Sequence, residues 1–158
     1  MVRLNLGCGR DIKPTASGWI NIDKVPYPGI DQVADLRDVR MIQANSVDEV
    51  YCKSVLEHFP LNQVPLVLKE MVRMLKPGCG GHIITTCLEG LGQAIVSKNF
   101  PWTEINKWMY ARDVDLERHH AFFSIPGLQQ LVRDAGLVVD DGYQDDKCIW
   151  GQHVFFHK

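Results

Sequence analysis

The stretch RLNLGCGRD, residues 3–11, decides the fold of this chain. Leu4 and Leu6 alternate with polar neighbours, which is typical of a half-buried β-strand. Gly7 and Gly9 follow at once, and because glycine lacks a Cβ the backbone can turn tightly there and approach a ligand. In open parallel sheets, ligands bind beyond the carboxyl ends of the strands, where such loops lie. The stretch therefore predicts a ligand-binding loop after the first strand, although a plain turn would use the same glycines.

Strand-like and helix-like segments alternate along the rest of the chain. We expect strands at 2–6, 18–23, 31–36, 47–53, 82–87, 137–143 and 152–158. Apolar residues at helical spacing predict one helix over 64–75, and a second that begins with Ser124 and Pro126 and ends at Gly136. This alternation predicts an α/β fold with a doubly wound, mostly parallel, seven-stranded sheet. Its last two strands are expected to be antiparallel because the connection between them is short.

Length and composition predict one soluble domain. The 158 residues suffice for a single domain, 1–158, with its own core. The formal net charge of −2 gives no general attraction to nucleic acid. Five cysteines without a CxxC pair indicate reduced thiols rather than a disulfide framework or a zinc site. Because we see no secretory signal and no apolar run of about 20 residues, we expect a cytoplasmic protein without membrane insertion.

Two acidic residues fall at the ends of expected strands. Asp23 ends the second strand, where a carboxylate can accept both hydroxyls of a ribose, although it could simply begin a turn. Asp35, with Leu36 beside it, could border a base ring, or it could cap a short helix. Position 12 is isoleucine where a dinucleotide-binding loop needs its third glycine, and there is no phosphate-binding lysine motif. The pattern therefore favours a nucleoside ligand without a pyrophosphate.

The ordered set LNLGCG, WINID, VADL, VDEVYCKSVLEH and MLKPGCGG resembles the class I S-adenosylmethionine-dependent methyltransferases over residues 3–87. The similarity continues more weakly through HHAFFSIPGLQQLVRDAGL, residues 119–137. The resemblance implies a Rossmann-like domain that binds S-adenosylmethionine and transfers its methyl group to a small-molecule, sugar or lipid-linked acceptor. It also implies the cofactor-binding residues, which are Gly7, Cys8, Gly9, Arg10, Asp23, Asp35, Leu36, Lys53, Ser54, Glu57 and His58.

The chain differs from the family that it resembles in the length of one connection. Only 14 positions separate Gly9 from Asp23, so the first helix of the family is expected to be shortened to a turn or lost. One sheet face would then be thinly covered, which makes a homodimer possible. Arg10, where many relatives carry a small residue, could pair with the methionine carboxylate of the cofactor or remain a solvated loop charge.

Three histidines are candidates for a general base. His58 more simply braces the start of a helix. His119 and His120 lie in the irregular segment 88–123 that is expected to cover the substrate, where one of them could reach a substrate hydroxyl or both could be surface residues. Adjacent residues point in different directions, so His119 and His120 are not expected to share a metal, and no metal site is predicted. The segment is rich in aromatic residues, and its basic and acidic side chains balance over 98–123, which disfavours a nucleic-acid substrate.

Two other functions compete with methyl transfer. One is a catalytically silent module that binds S-adenosylmethionine, since the chain is short. The other is a nicotinamide-dependent oxidoreductase, because Tyr143 and Lys147 have the spacing of the short-chain dehydrogenase pair. That pair needs a helix to align both groups, and here it falls in an acidic turn between two expected strands, so chance explains it better.

Overall fold

The computed structural model describes residues 1–98, 100–110 and 118–158, without the side chain of Trp108. Seven strands run through it: β1 Arg3–Leu6, β2 Trp19–Asp23, β3 Gln32–Val33, β4 Val47–Lys53, β5 Leu75–Thr86, β6 Val138–Gln144 and β7 Gly151–His157. Four α-helices accompany them: α1 Val64–Met74, α2 Leu88–Ser97, α3 Trp102–Tyr110 and α4 Ile125–Asp134. Single 3₁₀ turns lie at Thr15–Ser17, Leu56–His58 and Leu61–Gln63.

All seven strands form one sheet in the order β3-β2-β1-β4-β5-β7-β6. The pairs from β3 across to β5 are parallel, whereas β7 runs antiparallel to both of its neighbours. The chain order reverses between β1 and β4, so the carboxyl ends of the first four strands open into one crevice. This confirms the predicted α/β, Rossmann-like, mostly parallel sheet with an antiparallel C-terminal strand.

Helices α1 and α4 follow from their sequence patterns. Five apolar side chains of α1 at helical spacing are buried, and Pro65 occupies the first turn, where no amide donor is missed. The hydroxyl of Ser124 accepts a 3.1 Å hydrogen bond from the amide of Gly127 and so caps α4, as predicted. Gly136 ends that helix with φ of +100°, a left-handed conformation that glycine adopts without strain.

Two strands differ from the predicted bounds by more than one residue. β5 begins at Leu75, directly after α1, so KPGCGG lies within the strand instead of forming a separate turn. The turn-like residues fit into the strand because Gly78 adopts a left-handed φ of +77° and because the register between β4 and β5 shifts between Val47 and Glu49. β3 is only two residues long, because the chain turns after it: the amide of Asp38 donates to the carbonyl of Asp35 at 2.9 Å.

Where the resemblance predicts a first helix shortened to a turn or lost, the chain forms the 3₁₀ turn Thr15–Ser17. The main core cluster packs against the sheet face that carries Leu4, Val50 and Val154. The opposite face carries Trp19, Tyr51, His82 and Phe155, which are only half buried and which we call the aromatic face. None of the helices among the described residues has the length and apolar character needed to cross a bilayer.

Candidate functional site

A cavity of about 470 Å³ lies beyond the carboxyl ends of β1, β2 and β4. It brings together residues that the sequence places far apart, which is the expected consequence of parallel strands ending at one edge. The predicted residues that line it are Gly7, Gly9, Asp23, Asp35, Leu36, Ser54, His58 and His120.

The two glycines of the first loop, Gly7 and Gly9, have different structural roles. Both adopt a left-handed backbone, with φ of +60° at Gly7 and +51° at Gly9. A Cβ on Gly7 would lie 2.4 Å from Cγ2 of Val55, so the loop could not sit against the end of β4 with any larger residue. A Cβ on Gly9 would meet nothing within 4 Å. Gly7 therefore lets the chain pack, whereas Gly9 leaves open space on the cavity side.

The carboxylate of Asp23 organises this loop. Its Oδ2 accepts a 2.7 Å hydrogen bond from the amide of Gly9, and its Oδ1 accepts one of 2.8 Å from the amide of Val25. An ionised carboxylate offers about four acceptor positions, so two backbone bonds leave capacity for a ligand hydroxyl. Asp23 thus fixes the loop and lines the cavity at the same time.

Asp35 forms an ion pair with Arg37 instead of capping a helix. The Arg37 guanidinium lowers the pKa of the Asp35 carboxyl by hydrogen bonding to it. Nη1 of Arg37 also donates to Oε1 of Gln63 at 2.6 Å, and the guanidinium carbon lies 5.8 Å from the centre of the Phe59 ring. Buried Leu36 lies beside this group, so the wall is apolar with a charged rim.

Four of the predicted cofactor residues do not line the cavity: Cys8, Arg10, Lys53 and Glu57. Cys8 is buried beneath the loop, and burial raises the pKa of its thiol to about 11, so it stays protonated at neutral pH. Lys53 is half exposed and lies 3.7 Å from Asp11. Arg10 is exposed, and its guanidinium carbon lies 5.3 Å from the centre of the ring of Tyr27, a lining residue.

Glu57, the fourth of these residues, is buried, and the predicted base His119 does not line the cavity either. The Glu57 side chain is 3% exposed, and its Oε2 accepts a 2.6 Å hydrogen bond from Oγ1 of Thr85. Burial raises the pKa of Glu57 to about 7. His119 packs edge-on against His58 with ring centres 5.0 Å apart, and burial lowers its pKa to about 4. The carbonyl of Glu57 accepts a 2.7 Å bond from the amide of His120, which holds His120 at the cavity.

Other lining residues were missed by the sequence prediction: Lys24, Val25, Tyr27, Arg37, Val55, Phe59, Pro60 and Gln63. Four of them directly follow a predicted residue, and the other four lie two to five positions after one, so extending each predicted segment by five positions would have found them. The expected covering segment 88–123 is partly helical, through α2 and α3, and its residues 99 and 111–117 lie outside the described part of the chain.

The dehydrogenase-like pair has no helix to align it. Tyr143 lies on β6, where its ring stacks on His153 at 5.0 Å, and Lys147 lies in the connection between β6 and β7. Neither residue lines the cavity. The geometry therefore gives no support to an oxidoreductase, and the spacing of the two residues is explained by chance, as expected.

Comparison with known proteins agrees with this geometry. Residues 9–85 match the family described as a methyltransferase domain. No curated protein matches the chain. Among solved structures, a S-adenosylmethionine-dependent methyltransferase from Methanosarcina mazei is 17% identical with a TM-score of 0.68, over 99% of this chain and 91% of that one.

Two further structures are similar. One is a complex that contains the Haloferax volcanii Trm112 methyltransferase activator, with 16% identity, a TM-score of 0.68, and coverage of 99% of this chain and 81% of that one. The other is LepI in complex with S-adenosylmethionine, with 15% identity, a TM-score of 0.61, and coverage of 99% and 42%. At these identities the structures show a shared fold. The family match and the fold together support a class I S-adenosylmethionine-dependent methyltransferase.

Proposed function

We propose that this protein binds S-adenosylmethionine in the cavity and transfers its methyl group to a small-molecule, sugar or lipid-linked acceptor. The observation that carries the proposal is the convergence of Gly9, Asp23 and Leu36 on one cavity from three separate segments. Together they offer an open backbone approach, a carboxylate and an apolar wall, which suit the amino-acid, ribose and base parts of an adenosine ligand.

The residues present fit this cofactor. A side chain at position 9 would project into space that a ligand can use, since nothing else lies within 4 Å. Asp23 keeps acceptor capacity for ribose hydroxyls. Only a single 3₁₀ turn follows the glycine loop, so no α-helix N-terminus is available there to bind a phosphate. These features support an adenosine ligand without a pyrophosphate over a dinucleotide.

S-adenosylmethionine, when bound, supplies a methyl group on a sulfonium sulfur that an acceptor can displace in line. The task of the chain is then to position the two reactants and to take the acceptor's proton. His120 is exposed at the cavity and is held there by its backbone bond to Glu57, so its imidazole can receive a proton. His119 does not line the cavity, which leaves His120 as the proposed base of the two.

The surface features support a small acceptor over nucleic acid. The net charge is −2, and the Lys107 ammonium of α3 is paired with Glu104 at 2.7 Å. The cavity of about 470 Å³ is of the size that binds small molecules. A catalytically silent module would keep the same cavity, so only a reaction separates the two functions.

Calorimetric titration with S-adenosylhomocysteine and, separately, with NAD tests the binding site. We expect saturable binding of S-adenosylhomocysteine and no binding of NAD. The reverse result, or binding of neither ligand by folded protein, would overturn the proposal. A screen of hydroxyl and amine acceptors, read as formation of S-adenosylhomocysteine, then distinguishes an enzyme from a silent module. His120→Gln should lower that rate by about 100-fold or more without changing the affinity for S-adenosylhomocysteine.

A further inference from the structure

One cluster beside the cavity is not used by the proposed methyl transfer. Glu57, His58 and His119 each offer one ligand atom, and these three atoms lie within 4.8 Å of one another. Glu57 and His58 come from the turn after β4, whereas His119 comes from the segment before α4. Two imidazoles and one carboxylate are a set of ligands that divalent transition metals prefer.

We propose that Glu57, His58 and His119 form a binding site for a divalent transition-metal ion, such as Zn²⁺, at the wall of the cavity. The sequence prediction of no metal rested on His119 and His120 being adjacent, and the structure sets that pair apart, since His120 lines the cavity and His119 does not. The additional ligands come from far upstream in the chain, which spacing along the sequence does not reveal.

The environment of His58 fixes which of its nitrogens is a ligand. Nδ1 of His58 lies 3.2 Å from the carbonyl oxygen of Arg118. A carbonyl can only accept, so Nδ1 carries the proton in this contact and Nε2 keeps a lone pair in the neutral ring. Histidines that ligate metals commonly hold their second nitrogen on a carbonyl in this way, because the contact sets the tautomer and orients the ring.

The environment of Glu57 favours a cation. Its carboxyl is buried, and its contacts among the described residues are to neutral groups: the Thr85 hydroxyl and the backbone amides of Val55 and Glu57 at the side chain, and the amides of His120 and Ala121 at the carbonyl. No lysine or arginine forms a salt bridge with Glu57 within the parts of the chain that the structure covers. A buried carboxylate is costly without a positive partner, and a metal ion would supply one.

The present spacing is close to that of a bound site. In a tetrahedral zinc site with bonds of about 2.0 Å, ligand atoms are about 3.3 Å apart, so side-chain rotations that close the gap by about 1.5 Å would complete it. Three protein ligands leave a fourth position open, as in catalytic zinc sites. His58 lines the cavity, so a molecule in the cavity can reach that position. If the proposed function holds, the open position would take the acceptor's oxygen and ease loss of its proton.

Equilibrium dialysis of metal-stripped protein against Zn²⁺ tests the site without any cofactor or acceptor. We expect a bound ion that His119→Ala and Glu57→Gln each weaken by about 100-fold, since each removes one ligand. His157→Ala is the matched control: His157 is on β7, pairs with Asp140 at 2.6 Å and lies outside the cluster. Zinc binding of this variant should equal that of the unchanged protein. Far-ultraviolet circular dichroism verifies that each variant is folded.

Substitution with Co²⁺ gives a second readout. Visible absorption bands typical of four-coordinate cobalt should appear in the unchanged protein and in His157→Ala, and should vanish in folded His58→Gln. Zinc affinity and cobalt spectra that are the same in the cluster variants and the unchanged protein would overturn the metal site. Titration with S-adenosylhomocysteine on the same samples is independent, so a protein that binds the nucleoside but no metal refutes only the metal site.

Discussion

The backbone amide of Gly9 donates a 2.7 Å hydrogen bond to Oδ2 of Asp23, which joins the loop after β1 to the end of β2. This bond ties the two features that the sequence singles out, the glycine loop and the acid at a strand end, into one structural unit. Because both residues line the cavity, any ligand that enters meets a loop whose position is already fixed. Preorganisation of this kind lowers the ordering cost of binding.

Asp23→Ala should weaken binding of S-adenosylhomocysteine by at least about tenfold, because one charge-assisted contact to the ribose is lost. Titration calorimetry measures the affinity. Asp38→Ala is the control, since Asp38 is an exposed acid paired with Arg40 and does not line the cavity. Equal affinity in both variants would remove Asp23 from the site. Asp23→Asn, which keeps one oxygen acceptor, distinguishes a lost ribose contact from a collapsed loop.

Gly7→Ala and Gly9→Ala should separate stability from binding. At Gly7 the new Cβ would collide with Val55, and the left-handed backbone adds strain, so we expect a loss of about 2–4 kcal/mol in the free energy of unfolding. Adding Val55→Ala should restore part of that loss. At Gly9 only the strain of about 1 kcal/mol applies, while the Cβ enters the cavity and weakens binding of S-adenosylhomocysteine. Urea denaturation and calorimetry measure the two effects.

Arg73→Met should destabilise the chain by about 2 kcal/mol. The Arg73 guanidinium donates to the carbonyls of Ile42 at 2.7 Å and Val39 at 2.9 Å, and it pairs with Glu70 at 2.8 Å. These bonds fasten the segment after β3 to α1. Urea denaturation measures the loss. In the control variant Arg40→Met, which breaks only an exposed ion pair, the transition midpoint should not move.

The pH dependence of stability should reveal His82. Burial, together with the charges of His153 and Lys13, lowers the pKa of His82 from 6.5 to about 4. The unfolded chain then takes up a proton first as the pH falls, so the stability present above pH 6.5 is lost progressively between pH 6.5 and pH 4. In His82→Phe, which keeps the stack on Phe155, the fall in melting temperature from pH 7 to pH 5 should be smaller.

His157→Phe is the control for this pH experiment. His157 lies on the same sheet, is half buried and is paired with Asp140. The fall in melting temperature from pH 7 to pH 5 should be larger in His157→Phe than in His82→Phe. If His82→Phe and His157→Phe lose stability equally as the pH falls, titration of His82 does not contribute.

Local patterns predicted the elements that depend on local physics. The cap at Ser124, the stop at Gly136 and the buried stripe of α1 all have their causes within a few residues, and the structure confirms them. The ends of β1, β2 and β4 followed from the same patterns, and with them several of the residues at the crevice, since parallel strands bring their carboxyl ends together.

Features set by distant contacts were not predictable in this way. The start of β5 at Leu75 depends on pairing with Val47 and on a bulge, and neither is encoded in the KPGCGG turn signal. The sequence allows Asp35 either to cap a helix or to pair with Arg37. The chain forms a turn after β3, and in that turn Asp35 pairs with Arg37. The contact of His58 with His119 joins segments on either side of β5 and α2, so no spacing rule could reveal it.

Because the first helix is reduced to a 3₁₀ turn, the residues of the aromatic face are only half buried and contact water. Lys13 Nζ lies 3.9 Å from the centre of the Tyr51 ring and 4.8 Å from that of Trp19, and the Arg3 guanidinium also lies over Trp19. These hydrated cations lie over the aromatic rings. They allow this face of the sheet to contact water although it carries large aromatic side chains. The side chains of Lys13 and Arg3 thus cover part of the sheet face that a helix would otherwise cover.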